Sequence, residues 1–236
     1  AIIGVLLVIL FMIIMYRLPG AVASLALLIY ILIDLFLLAG ETLPEILNEY
    51  TLLTGRSALP TKQSLGYCAS TMYYAELEKN CDEEIYKVID KHEKEGILID
   101  NFWLASGYSS GEKDNLRYVF NWNYKRFPEP EKFFENMNAR GINVIPNLKP
   151  GILKHHPYID LFEKNDVFIK TPDGKAPYYG RWWGGEGRFF DFTGPNGSNT
   201  WKQLLEENIL KKGTKTVWND NCEMDGVEDR EAQCDF

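Results

Sequence analysis

Four short apolar, β-branched runs recur along this chain, each separated from the next by a stretch with helical periodicity. That alternation constrains the fold more than any other feature. The runs cover residues 64–70, 96–104, 143–149 and 214–219. Between the first two, residues 82–95 place Ile85, Val88 and Ile89 on one side, with Asn80 or Asp82 to cap the helix and Gly96 to end it. Residues 129–140 begin between Pro128 and Pro130 and stop before Gly141, and residues 199–212 stop before Gly213. This order predicts an α/β fold with a parallel sheet and right-handed crossovers. A doubly wound sheet and a (β/α)8 barrel both satisfy it. No GxGxxG follows the first run, which weakens the nucleotide-binding version.

Residues 1–39 have a different character. Arg17 and Asp34 are their only charges, and the break Tyr16-Arg17-Leu18-Pro19-Gly20 divides two apolar pieces. A helix needs roughly 20 apolar residues to cross a bilayer. Residues 21–39 reach that length and residues 1–15 are shorter. A cleaved signal has one apolar core, so two cores around a Pro-Gly turn predict a transmembrane hairpin over 1–39. Asp34 inside the second span would have to face a partner or water. The expected domains are therefore the hairpin and a soluble part, 41–236. The chain is membrane-associated if the hairpin is genuine and cytoplasmic otherwise.

The formal charge of −8 lies entirely beyond Gly40, because Arg17 and Asp34 cancel. An acidic surface argues against nucleic acid as a partner. The four cysteines form no CxxC pair and the three histidines no HExxH, so the expected complement of metals and cofactors is none.

Met72, Asp100, Trp103, Lys149 and Asp220 stand at the expected C-terminal ends of successive strands, where parallel α/β sheets place chemistry. Asp220 follows Thr216-Val217-Trp218-Asn219, so a carboxylate sits beside an indole. It reads either as the cap of a turn or as one half of sugar chemistry, which needs a carboxylate near an apolar ring face. The connection from Pro150 to about Pro195 holds Tyr178, Tyr179, Trp182, Trp183, Phe189, Phe190 and Phe192. Long loops in compact domains are commonly functional, and this one fits a carbohydrate cleft or a protein-binding hot spot.

Several ordered motifs carry a resemblance. They are Thr42-Leu43-Pro44-Glu45, Tyr50 to Arg56, Leu65-Gly66-Tyr67, Trp183-Gly184-Gly185, Phe190-Asp191-Phe192-Thr193 with Pro195, and Trp218-Asn219-Asp220-Asn221-Cys222-Glu223. From about Glu41 to Asp229 the chain resembles glycoside hydrolase family 31, the retaining α-glucosidase type. The resemblance implies the N-terminal half of a (β/α)8 barrel, about four βα units, with Asp220 as nucleophile of a double displacement. It implies aromatic walls at Trp183 and Trp218, a pocket position for Asn221, and Met72 where the family often has Trp. Asp191 either braces its loop or touches sugar, and Glu223 lies behind the site. The substrate expected is an oligosaccharide or α-glycoside.

Two departures stand out. Leu104-Ala105-Ser106-Gly107-Tyr108 occupies the place of acidic residues that bind distal hydroxyls, and Lys149 stands where an Asp usually precedes the Pro. Lys149 serves the pocket or pairs with Asp100. The family's general acid comes from a later strand, so these 236 residues alone are expected to be an inactive fragment. The alternative is a membrane-tethered carbohydrate-binding or interaction module without catalysis. Residues 10–20, with the apolar stretch after them, resemble the membrane segments of a SecD-type export subunit. That resemblance stops near Gly40, as at a junction between unrelated sequences.

Overall fold

The computed structural model describes residues 37–222, together with Ala232 and Cys234. The hairpin expected over 1–39 therefore falls, except for its last three residues, outside the described residues, as does Glu223. Among the described residues no helix is long and apolar enough to cross a membrane. The chain divides after Leu59 into two units. In the first, α1 (Leu43–Thr54) opens on Pro44, and the backbone N–H of Glu41 donates to Glu45 Oε2 at 2.9 Å. A proline early in the first turn is tolerated because its N–H has no helical partner there. Gly55 ends the helix with φ of 91°.

In chain order the second unit contains β1 (Cys68–Ser70), α2 (Met72–Ala75), α3 (Cys81–Lys94), β2 (Asn101–Leu104), α4 (Pro130–Ala139) and β3 (Asn143–Leu148). These are followed by β4 (Ile152–Leu153), α5 (Ile159–Lys164), β5 (Gly180–Trp182), β6 (Gly185–Arg188), α6 (Pro195–Asn208) and β7 (Trp218–Asn219). Strands β1, β2, β3 and β7 form one parallel sheet in that spatial order. The order never reverses. A doubly wound sheet reverses at its switch point, so the arrangement is that of successive barrel strands, with α3, α4 and α6 as crossovers.

Alternation along the strands sorts their side chains. Phe102, Leu104, Val144 and Leu148 join one buried core with Ile85 and Ile89 of α3 and Phe133, Phe134 and Met137 of α4. Trp103, Asn147 and Trp218 fall on the opposite face, because Asn147 is in register with Trp218 and Trp103 with Ile145.

The strands are shorter than the apolar runs. Residues 63–65 make a 3₁₀ turn before β1. Ile97 and Leu98 are exposed ahead of β2. Before β7, the Thr214 hydroxyl donates to Val144 O at 2.8 Å and accepts from the Thr216 N–H at 3.2 Å, which ties the chain into a turn. Helix α6 begins four residues earlier than expected, at Pro195. Its Pro-Asn-Gly-Ser start looks like a turn in the sequence. Gly197 is required there by packing, since a Cβ would meet Asp191 O at 2.0 Å.

The long connection after β3 is neither cleft nor coil throughout. Strands β4, β6 and β5 pair antiparallel, and Phe162, Phe168 and Phe190 join the core. His156, between β4 and α5, is 1% exposed. Its Nε2–H donates to Val119 O at 2.9 Å, and its Nδ1 accepts from the Tyr158 N–H at 3.1 Å. Burial pushes its pKa down to about 4, although the Val119 carbonyl opposes the shift. Below the ordinary value of 6.5 the unfolded chain binds a proton that the folded chain refuses until pH falls to about 4. Stability is therefore lost as pH falls across that window, by about 3 kcal/mol in full. Urea unfolding at pH 7 and pH 4.5 should show a smaller pH difference in His156→Gln than in the parent. An equal difference would contradict this origin.

Candidate active site

The end of β7 carries the centre of the site. The backbone N–H of Asp220 donates to Leu148 O at 2.9 Å, so the ladder between β3 and β7 continues into the residue after the strand. Trp218 and Asp220 are two apart, as are Asn147 and Lys149, so all four side chains belong to one face. There Asn147 Nδ2 donates to Asp220 Oδ2 at 2.9 Å. The Lys149 ammonium donates to the same oxygen and to Asn221 Oδ1. Asn221 adopts φ of 50°, a left-handed conformation that asparagine tolerates.

The Lys149 side chain is 8% exposed and that of Asp220 is 29% exposed. Partial burial pushes the Asp220 carboxyl up. The hydrogen bonds from Lys149 and Asn147, with the Lys149 charge, outweigh it and hold the group below its ordinary value. Asp220 is therefore a carboxylate at neutral pH.

Aromatic rings surround the pair. Trp103 and Trp218 pack with centroids 5.0 Å apart. Lys149 Nζ lies 4.5 Å from the centroid of the Trp183 ring, within cation–π range. Trp183 is 56% exposed. Its neighbour Trp182 is fixed instead: a Cβ on Gly151 would meet the Trp182 ring at 2.1 Å and one on Gly184 at 2.5 Å. The glycines make the slot that seats one tryptophan and leaves the other at the tip of the β5–β6 hairpin. Two buried polar atoms on the strand-end face lack partners among the described residues, the donor Trp103 Nε1 and the acceptor Asn147 Oδ1.

Other expected positions differ. Asp100 precedes β2, at the strand's N-terminal end, because only the last four residues of its apolar run pair as a strand. Its Oδ2 accepts from the Tyr67 N–H at 3.0 Å. Lys149 accordingly pairs with Asp220 and not with Asp100. Met72 follows β1, opens α2 and is half exposed. Asp191 braces its loop, accepting from the Thr193 N–H at 2.9 Å. The stretch 105–108 is buried, and Tyr108 Oη donates to Asn147 O at 2.8 Å.

A family model, the glycosyl hydrolases family 31 TIM-barrel domain, matches residues 57–235. The chain belongs to glycosyl hydrolase family 31. Its family-31 relatives include alpha-glucosidase 2 of Bacillus thermoamyloliquefaciens, 30% identical over 190 residues, which cover 80% of this chain and 23% of the relative. The alpha-glucosidase of Saccharolobus solfataricus is 26% identical over 188 residues, 80% of this chain and 25% of that protein. The chain thus spans about a quarter of the length of these relatives. A glucosidase II alpha subunit bound to Glc1Man2 superposes with TM-score 0.66 and 27% identity, over 83% of this chain and 20% of its own. A dextranase of Flavobacterium johnsoniae complexed with glucose shares the fold at TM-score 0.68 and 20% identity, over 83% and 24%. The resemblance of residues 10–20 to an export subunit gains no support from these comparisons.

Asn147 and Trp182 were not among the residues expected at the site. For Asn147 a signal existed: it and Lys149 are polar residues two apart at the end of a run that is apolar from Val144 to Pro146, the mark of one shared strand face. Trp182 gave none, since only the fold shows which tryptophan of the pair is seated. Gly151→Ala should force the Trp182 ring from its slot and destabilise the protein by about 1–3 kcal/mol. Urea unfolding, followed by tryptophan emission, measures this, and an unchanged midpoint and spectrum would contradict the slot.

Proposed function

We propose that this segment supplies the nucleophile and part of the sugar-gripping pocket of a retaining α-glycoside hydrolase acting on α-glucoside-like oligosaccharides. The observation that carries the reading is the Asp220 carboxylate, held ionised at the end of β7 with indole walls beside it. The relatives named above are α-glucosidases, and this supports α-glucosides as the substrate class.

On this reading the side-chain hydrogen bonds converge on Oδ2, which leaves Oδ1 to attack. Oδ1 bonds to the anomeric carbon as the glycosidic C–O bond breaks. The leaving oxygen keeps the electron pair and takes a proton from a carboxylic acid outside the described residues. Retaining enzymes set these two groups about 5–5.5 Å apart. Water then attacks the same carbon, and the electron pair returns to Asp220 as the ester opens. Trp218 and Trp103 present apolar surface to the ring. The free donor on Trp103 and acceptor on Asn147 match what a sugar hydroxyl accepts and donates. Asp100, on the far end of β2, takes a structural role on this reading, and Met72 borders the pocket.

Asp220→Asn in the full-length protein should lower hydrolysis of an aryl α-glucoside by about 10³-fold or more while the unfolding midpoint stays near the parent's. The amide keeps the shape and still accepts from Lys149. Activity within a few-fold of the parent would remove Asp220 from the nucleophile's role.

A further inference from the structure

Lys149 has no step in the double displacement, yet its geometry is that of a group bound to the nucleophile. Its side chain is more than nine-tenths buried. The ammonium donates to Asp220 Oδ2 and Asn221 Oδ1 and lies under the Trp183 ring. Asp220 is the carboxylate it faces among the described residues, and the other side chain hydrogen-bonded to that carboxylate, Asn147, is neutral.

We propose that Lys149 is a positioning residue that divides the reaction unequally, slowing formation of the glycosyl-enzyme and speeding its breakdown. The inference rests on Asp220 as the nucleophile. When Oδ1 bonds to the anomeric carbon and the leaving group departs with its electron pair, Asp220 loses its negative charge. Lys149 then stays buried without the anion it was paired to, and a buried cation without its anion is costly. That cost raises the barrier to attack. In the second half, water's oxygen bonds to the same carbon and its proton passes to a base or solvent. The ester C–O bond breaks with its electron pair returning to Asp220. The carboxylate re-forms against a waiting ammonium, which makes it a better leaving group. Asn221 has the same part to play: its carbonyl oxygen keeps Lys149 in place through both halves. An uncharged residue at 149 reverses the balance.

The test uses the full-length protein and 5-fluoro-α-D-glucosyl fluoride, followed by intact mass spectrometry with peptide mapping. Fluoride leaves without needing a proton, so labelling depends on the nucleophile and not on the general acid. In the parent the adduct on Asp220 should be short-lived. In Lys149→Met its lifetime should lengthen roughly tenfold or more, the scale of one lost charge-assisted hydrogen bond. The acid limb of the labelling rate should also move to higher pH, because the ammonium that favours the ionised carboxylate is gone. Lys149→Arg, which keeps the charge, should bring both values back toward the parent's. A merely structural role would leave the limb in place. An adduct in Lys149→Met with the parent's lifetime and acid limb overturns the proposal while leaving Asp220 as nucleophile. So does a Lys149→Arg protein that behaves like Lys149→Met. No adduct on Asp220 in any of the three proteins overturns the nucleophile and the inference together.

Discussion

The ion pair between Lys149 and Asp220 depends on the register of two strands, and most of what surrounds it serves that register. Asn147 lies opposite Trp218 and Leu148 opposite Asn219, and the Asp220 N–H extends the ladder by one bond. A slip of one residue would turn Asp220 to the helix side and put Asn219 in its place. Strand β7 is only two residues long, so its own ladder offers little to prevent a slip. The Thr214 hydroxyl bonded to Val144 O and the Asn138 side chain bonded to Gly213 O fix the approach to the strand from outside it. On the other side, Tyr108 holds Asn147 through its carbonyl. Tyr108 itself is fully buried against Trp122, whose indole N–H donates to Asn208 O at the end of α6. The connection after β2 therefore braces Asn147, which in turn donates to Asp220.

The aromatic loop shows the same division between support and contact. Its phenylalanines other than the exposed Phe192 are buried, and Phe162, Phe168 and Phe190 pack edge to face with one another or with Trp201. Arg188 is buried among them at 2% exposure, over the rings of Phe168 and Tyr179 and paired with Glu163. Trp182 fills the glycine slot. Of the loop's exposed aromatics, Trp183 is the one at the hairpin tip above Lys149. An apolar platform backed by a cation is a suitable surface for a sugar ring, and Trp183 stands at the tip while its neighbour fills the glycine slot.

The sequence pattern made the element types legible and the strand limits less so. The three crossover helices and the four parallel strands follow from periodicity and glycine stops. Their bounds shifted because an apolar run does not say where hydrogen bonding begins: Ile97 and Leu98 are apolar but lie outside β2. That shift moved Asp100 from one end of the sheet to the other. Asp220 was legible because its strand ends where its polar residues begin. The Lys149 partner was not, since a lysine can reach either of two carboxylates and only the register decides which. The small antiparallel sheet was hidden for a different reason. Gly180, Gly185 and Gly187 read as loop residues, and here they are strand residues: a Cβ on Gly187 would meet Trp182 Nε1 at 2.9 Å, and Gly185 has φ of 121°.

On the proposed mechanism Asp220 faces the anomeric carbon of an α-glucoside while its Oδ2 remains bound to Lys149. A crystal structure of the full-length protein, trapped with the fluorinated glucosyl fluoride, tests it most directly. The expected result is a covalent bond from Asp220 to the anomeric carbon, the sugar ring against Trp218, and Lys149 still within hydrogen-bond distance of the ester's other oxygen. A sugar bound with its anomeric carbon away from Asp220, or attached to another carboxylate, would contradict it.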